Sequence, residues 1–461
     1  MTKMFSERLT RRDVLKLGAA TMATSLLAAC APPAAAPAAA PAGGQPAPAS
    51  KEPIILNHMA RHDFEAQRGA VKEWNETHPE VQVKMDEVVG DTWDYYRIKM
   101  MQQLAAGNPP DTVFTDVWYF RLYAMDGVFL NLEPYIEKDT DFKKEDLWEV
   151  CITNTRSPDI NGDMYCLPYD YGTHCLAWNK KIFEEEGIPD FDPAQELSWE
   201  KDILPLAREL TRDMNGKKPG EDGFDPLRIS QYGVNPYNYL FWWYIDQAGG
   251  KCFDEGFTKC TMNTPEAIEG IQFLYNMMNV DKYAPSPAYQ QSQPISFPTG
   301  KIAMSIVATW DLPGITPQAD FEWDIVRPPR RKVKIGDGRV SGQAILTASK
   351  IQDWGWEWIK FLTIGNGQNY KQLGGGAIHP VKAKARNDAF LKRTKPPYNM
   401  EAFLQEAELG GGPPFFKYWH IFVDLAFAET GKAYADQMTV EEAMNELTEK
   451  TDYLLAHGKL P

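Results

Sequence analysis

The stretch Tyr165–Lys180, YCLPYDYGTHCLAWNK, constrains this chain more than any other. An apolar lead-in from Tyr165 to Pro168 runs into the polar and aromatic knot Tyr169-Asp170-Tyr171-Gly172. A strand-like run from Cys175 to Trp178 follows, and Asn179-Lys180 opens a helix through Phe183. A strand rarely carries such a knot unless the chain crosses between two bodies or lines a cleft. Gly172 permits backbone geometry that other residues resist. An ordinary loop between two strands of one sheet would also use turn residues here, so at this point both readings stand.

Length favours the crossing. Single cores stop growing near ~250–300 residues, and this chain has 461. The folded part is shorter than that. Thr10-Arg11-Arg12-Asp13-Val14-Leu15-Lys16 reads as a twin-arginine export signal, and the apolar segment 17–29 after it is too short to span a bilayer. It ends in Leu27-Ala28-Ala29-Cys30, which resembles a bacterial lipoprotein signal-peptidase box. Residues 1–29 are therefore expected to be removed and Cys30 to be acylated. Residues 30–50, almost wholly Ala, Pro, Gly and Gln, make a tether rather than a core. The folded body begins near Lys51 and hangs from the outer face of a membrane.

The leader holds five basic and two acidic residues, so its loss takes the formal charge from −15 to −18. A body that acidic is a poor partner for nucleic acid or anionic lipid. The five cysteines beyond Cys30 (Cys151, Cys166, Cys175, Cys252, Cys260) contain no C-x-x-C. Cys252 and Cys260 flank a short loop and could pair, and the odd count leaves at least one thiol free or bonded to something else. His58-x-x-x-His62 would suit a metal on a helix, but His58 falls at a strand end, so no metal or cofactor is expected. There is no Gly-x-Ser-x-Gly, His-Glu-x-x-His or phosphate loop, and no catalytic role is expected.

Along the body, strand Ile54-Ile55-Leu56, a helix over 63–77 and the alternating Val81, Val83, Met85 form a βαβ unit and imply a parallel sheet. A helix over 95–106 and Asn108-Pro109-Pro110-Asp111 lead to a third strand at 112–115. Ligands of such sheets bind beyond the carboxyl ends of strands, which points to Asn57, His58, Thr115, Asp116 and Trp118. Later helices start at Ser198, at Thr264-Pro265-Glu266 and at the capping box Thr439-x-x-Glu442. Residues 328–339 read as a solvated basic hairpin.

The order of these pieces resembles the family 1 extracellular solute-binding proteins of bacterial ABC importers, the group that includes maltodextrin-binding proteins. The residues that carry the resemblance are Gly107-Asn108-Pro109-Pro110-Asp111, Leu167-Pro168-Tyr169-Asp170, Ala177-Trp178-Asn179-Lys180, Gly300-Lys301-Ile302-Ala303-Met304 with Trp310, Gly342-Gln343-Ala344-Ile345, and Trp356-Glu357-Trp358-Ile359-Lys360. The resemblance covers nearly all of 51–461. It implies an α/β, two-lobed periplasmic-binding-protein fold of type II, with a multi-crossing hinge and a ligand cleft between the lobes. Lobe one would be 51–169 plus 342–379, and lobe two 170–341 plus 380–461.

The ligand contacts it implies are Thr115, Asp116, Trp118, Asp170, Tyr171, Trp310, Gly342, Gln343 and Trp419. Asp311, which flanks Trp310 at the strand end, and at most one of Trp242 and Trp243 (Trp243 is taken), which cannot both face one way in a helix, are further candidates. Asn57 and His58 join them from the strand-end rule. Indoles suit the C–H faces of a sugar, and carboxylates suit its hydroxyls. The implied function is capture of a mono- or oligosaccharide by a lipid-anchored monomer that delivers it to permease subunits and an ATPase supplied in trans. Gly172 and Thr173 stand where the maltodextrin pattern has a glutamate, so another sugar or polar solute also fits. A polyamine or short peptide is the alternative, favoured if two or more carboxylates converge on one point of the cleft.

Overall fold

The computed structural model describes residues 52–61, 63–90, 92–292, 295–373 and 376–461. The leader, Cys30 and the tether lie outside the described residues. No described helix is long and apolar enough to cross a membrane.

Two five-stranded sheets organise the body. The first runs in the order Val81–Glu87, Ile54–Ala60, Thr112–Asp116, Arg339–Ile345, Leu167–Gly172. Its first three strands are parallel, and Arg339–Ile345 lies antiparallel to both its neighbours. The second runs Trp323–Val326, His174–Asn179, Ile302–Ala308, Ile229–Asn235, Arg212–Asp213. Strands His174–Asn179 and Ile302–Ala308 are buried at every residue, as expected where helices cover both faces of a sheet. Edge strand Val81–Glu87 keeps only Val81 and Val83 buried.

The chain changes sheets at Thr173. Strand Leu167–Gly172 pairs in the first sheet, with a bulge at Tyr169, and His174 opens a strand of the second. It returns at Arg339, which pairs with Gly172. The sheets therefore exchange the chain a few residues later than 169/170 and a few earlier than 342. After the crossing, helix Gly367–Leu373 packs on helix Phe64–Thr77 of the first lobe. Helices Trp419–Tyr434 and Val440–His457 pack on Pro265–Tyr275 of the second.

Local signals act as the chemistry dictates. Thr439 Oγ1 accepts the Glu442 amide at 3.1 Å while the Glu442 carboxylate accepts the Thr439 amide at 2.8 Å. Pro265 stands in the first turn of its helix. Two expectations are corrected. Segment 328–339 is not a solvated hairpin: Arg330 pairs with Glu406, and Arg331 reaches Glu200 at 2.8 Å and Glu269 at 2.9 Å. Carboxylates brought from elsewhere in the chain let these arginines pack instead of facing water. The five described cysteines are buried thiols, none bridged. Cys260 sits against Thr448, across from a helix that the spacing to Cys252 does not reveal.

Candidate functional site

A cavity of about 450 Å³ lies between the two sheets where the chain crosses. The first lobe supplies Asp63, Trp93, Phe114 and Asp116 to Trp118 at the carboxyl end of the third strand. The second supplies Tyr237, Tyr239, Thr309, Trp310 and Pro313, just past the ends of Ile229–Asn235 and Ile302–Ala308. The crossing strands supply Asp170 to Gly172 and Arg339 to Ser341, and Lys371 closes the first-lobe side. The strand-end rule for α/β sheets thus holds in both lobes.

The wall is aromatic. Trp310 is 38 % exposed, the most open indole on it, and its back packs edge-on against His174 at 5.0 Å. Gly172 lets it lie there: a Cβ at this position would fall 2.5 Å from the indole. Clearance, rather than a left-handed backbone, is why glycine stands at the crossing. Across the cavity, Trp118 is backed by Tyr239 at 5.5 Å and Trp419 at 5.9 Å. Two wall residues, Asp63 (φ 53°) and Tyr237 (φ 55°), hold a backbone that non-glycine residues seldom adopt, a form of strain found at ligand sites.

The wall's charges are arranged in three groups. Lys371 bonds Asp63 and lies 3.6 Å from Asp170. Burial pushes the Lys371 ammonium down, but the two carboxylates outweigh it and its pKa rises. Asp170 also accepts the Ser341 amide at 2.7 Å, and burial still pushes its carboxyl up. The second group is Asp116. Its Oδ1 accepts the amides of Trp118 (2.6 Å) and Tyr119 (3.2 Å), while its Oδ2 is buried and without a hydrogen-bond partner. Burial raises this carboxyl to about 7 against those two amides and the charges of Arg97 and Arg61.

The third group centres on Arg339. Its guanidinium carbon lies 5.9, 5.0, 4.8 and 5.2 Å from the ring centres of Trp118, Tyr239, Trp242 and Trp310. One cation from a crossing strand therefore touches a ring of the first lobe and three of the second. Behind it, Asp337 accepts from Trp242 Nε1 at 2.7 Å and faces His174 Nδ1 at 3.1 Å and Arg339 Nε at 3.4 Å. Burial would raise Asp337, but Arg339, His174 and the Trp242 indole together bring it down to about 2.

Of the residues singled out from sequence, Asp116, Trp118, Asp170, Tyr171 and Trp310 line the cavity. Tyr171 contributes mainly its backbone, since its hydroxyl donates to the Ala407 carbonyl at 3.1 Å. The others stand behind or away from the wall. His58 is fully buried, with Nδ1 at 2.9 Å from Thr112 Oγ1 and Nε2 at 2.8 Å from Gln67 Oε1. Burial holds it near 4 despite the Gln67 hydrogen bond, so it is a neutral core histidine under helix Phe64–Thr77. Asn57 faces solvent and its backbone amide donates to Asp111 at 2.9 Å.

Thr115 turns back toward the Asp116 carbonyl, and Asp311 caps its own turn at the Ala308 amide, 2.8 Å away. Gly342 is pressed against Cys166, and Gln343 is wholly buried in the sheet. Trp243 is 1 % exposed and donates to the Ile335 carbonyl. Trp419 is buried behind Trp118. Arg339, Lys371, Asp63, Trp93, Tyr237 and Tyr239 were not singled out from sequence. Only the turn chemistry around Tyr237 (Asn235-Pro236) offered a signal, since Lys371 and Asp63 meet across most of the chain.

A maltotriose-binding protein of Pyrococcus abyssi is 23 % identical over 367 residues, covering 77 % of this chain and 72 % of its own. An arabinooligosaccharide-binding protein of Bacillus subtilis is 24 % identical over 47 % of this chain and 45 % of its own. Among solved structures, an ABC substrate-binding protein from Listeria monocytogenes in complex with cycloalternan superposes with a TM-score of 0.76 at 23 % identity. That match covers 88 % of this chain and 99 % of that one, a likeness of fold. The profile of the bacterial extracellular solute-binding protein family matches residues 63–363, well over half of the sequence, and the chain belongs to that family.

Proposed function

We propose that this protein captures an oligosaccharide outside the cell and hands it to the permease of an ABC importer, acting as a monomer anchored through lipid on Cys30. Its role is binding, not catalysis. The observation that carries the reading is the composition of the cleft. Four indole or phenol side chains from both lobes (Trp118, Tyr237, Tyr239, Trp310) face a cavity in which Lys371 lies against Asp63 and Asp170 and Arg339 has Asp337 beside it. Aromatic faces supply the C–H stacking surface a sugar needs, and Asp116, whose Oδ2 has no hydrogen-bond partner in the protein, stands beside them on the wall. The volume falls in the ~300–1,000 Å³ range of small-ligand sites and suits about two to three sugar rings. The names of the relatives, maltotriose and arabinooligosaccharide binders, support the same class.

The polyamine alternative loses its footing on the same wall. Asp63 and Asp170 converge on one point, but Lys371 already occupies it. That leaves Asp116, whose buried carboxyl tends toward the neutral form.

A thermal-shift screen of the body against neutral sugars, acidic sugars, polyamines and peptides tests the reading. Ligand at 100 times its Kd should stabilise by about 2.7 kcal/mol, a shift of a few degrees. A neutral oligosaccharide should give that shift, and Trp310→Ala should reduce it. A shift with spermidine and none with any sugar would overturn the proposal.

A further inference from the structure

Two cations lie on the cavity wall among the described residues, and they differ. Lys371 is hydrogen-bonded to Asp63 and lies beside Asp170. Arg339 is 8 % exposed, and its Nε and Nη2 make no hydrogen bond within the protein. Asp337 faces it at 3.4 Å, too far and too divided among Trp242, His174 and Arg339 to satisfy those donors. Four rings fix the guanidinium plane, so its donors point in set directions.

Resting on the oligosaccharide reading above, we propose that Arg339 is the specificity-determining residue of the cleft, donating N–H groups to the oxygens of an uncharged sugar, with Asp337 as its positioning residue. Asp337 is 3 % exposed and directly behind the guanidinium. It supplies the counter-charge from the protein side, so the ligand need bring none. An acidic sugar would meet a cation already matched, with the carboxyls of Asp116 and Asp170 on the same wall. A cationic ligand would meet Arg339 and Lys371. A sugar that offers no oxygen where the guanidinium points leaves buried donors unpaired, which is how a polar site discriminates most strongly.

The test is titration of the full chain, followed by tryptophan fluorescence, with maltotriose, arabinotriose, trigalacturonate and spermidine at low and high salt. The wild type should bind a neutral trisaccharide with little salt dependence. Arg339→Gln should weaken it by about 10- to 100-fold, and Arg339→Lys nearly as much, because an ammonium lacks the planar fork. Asp337→Asn should shift preference toward trigalacturonate and make binding salt-sensitive, a change that loosened packing alone would not produce. Asp337→Glu should restore the neutral preference in part. If Asp337→Asn does not fold, the two Arg339 variants decide the matter.

Neutral-sugar binding unchanged within two-fold in Arg339→Gln would overturn the inference and leave the oligosaccharide reading standing. Tighter binding of trigalacturonate than of neutral sugars by the wild type would overturn it too. Binding of spermidine alone would sink the reading on which it rests.

Discussion

Asp116 and Asp337 are two carboxylates at similar depth, 6 % and 3 % exposed, one on the cleft wall and the other behind Arg339. Burial pushes both upward, yet Asp116 rises to about 7 and Asp337 falls to about 2. Their partners make the difference. Asp116 has two backbone amides on one oxygen and nothing on the other, with Arg61 and Arg97 acting only through space. Asp337 has an indole, an imidazole and a guanidinium around it. Depth sets the cost of ionisation, and the number and charge of donors decide whether it is met. Asp337, approached by three side chains, braces Arg339 from behind, whereas Asp116 keeps one oxygen without a partner.

The largest effect should come from removing the satisfied acid. Asp337→Ala leaves Arg339 and His174 without their carboxylate neighbour and takes the acceptor from Trp242. It should cost about 3–5 kcal/mol of stability, read from urea unfolding near neutral pH. An effect below ~1 kcal/mol would mean that the aromatic cage alone holds the guanidinium, and the contrast between the two acids would collapse.

The pH dependence of the two acids should run in opposite directions. Asp116 has its folded pKa raised above 3.8, so its contribution is fully present below about 3.8 and is lost as pH rises through about 7. Asp337 has its folded pKa lowered, so its contribution is present above about 3.8 and is lost as pH falls through about 2. Asp116→Asn should therefore be more stable than wild type at pH 8, by up to about 4 kcal/mol. It should also flatten the stability profile between about pH 4 and 7, measured as Tm against pH. Equal slopes in variant and wild type would show that Asp116 does not titrate there.

What could be read from the sequence follows from range. Strand periodicity and the strand-end rule act over a few residues, and they led to Asp116 and Trp118, while the family resemblance led to Trp310; all three lie on the cavity wall. The same rule selected His58. The alternation of the first strand instead turns that side chain inward, where Gln67 and Thr112 satisfy both ring nitrogens. The rule marks a strand end but not which face the end residue shows. Lys371 escaped because its partners Asp63 and Asp170 are far away in the chain. Arg339 was hidden in a run of basic residues that looked solvated until Glu200, Glu269 and Glu406 were brought to it. Trp243 and Trp419 show the converse: aromatic runs signal burial, and burial here means the core behind the wall rather than the wall itself.

Trp310 and Trp243 extend the comparison from acids to indoles. Trp310→Ala should cost less than ~1 kcal/mol of stability, since the ring is 38 % exposed, yet weaken ligand binding by about ten-fold through loss of one stacking face. Trp243→Ala should do the reverse. It removes a ring 1 % exposed that donates to Ile335, so it should cost about 3–5 kcal/mol, with affinity per folded molecule little changed. Calorimetric titration and thermal unfolding of the same two variants separate these outcomes, and matching losses in both would erase the distinction between wall and core.

The smallest effect belongs to Asn57→Ala. Asn57 sits next to His58 on the first strand, but its side chain faces solvent, and what it gives the fold is its backbone: the amide to Asp111 at 2.9 Å and the carbonyl to the Asp111 amide at 2.8 Å. Alanine keeps both. The variant should stay within ~0.5 kcal/mol of wild type and bind ligand within two-fold. Because Asn57 and Asp116 both stand on parallel strands of one sheet, a measurable loss of affinity in Asn57→Ala would mean that the ligand reaches over the first strand as well as the third. The cleft would then extend past the wall that Asp116, Trp118 and Arg339 define.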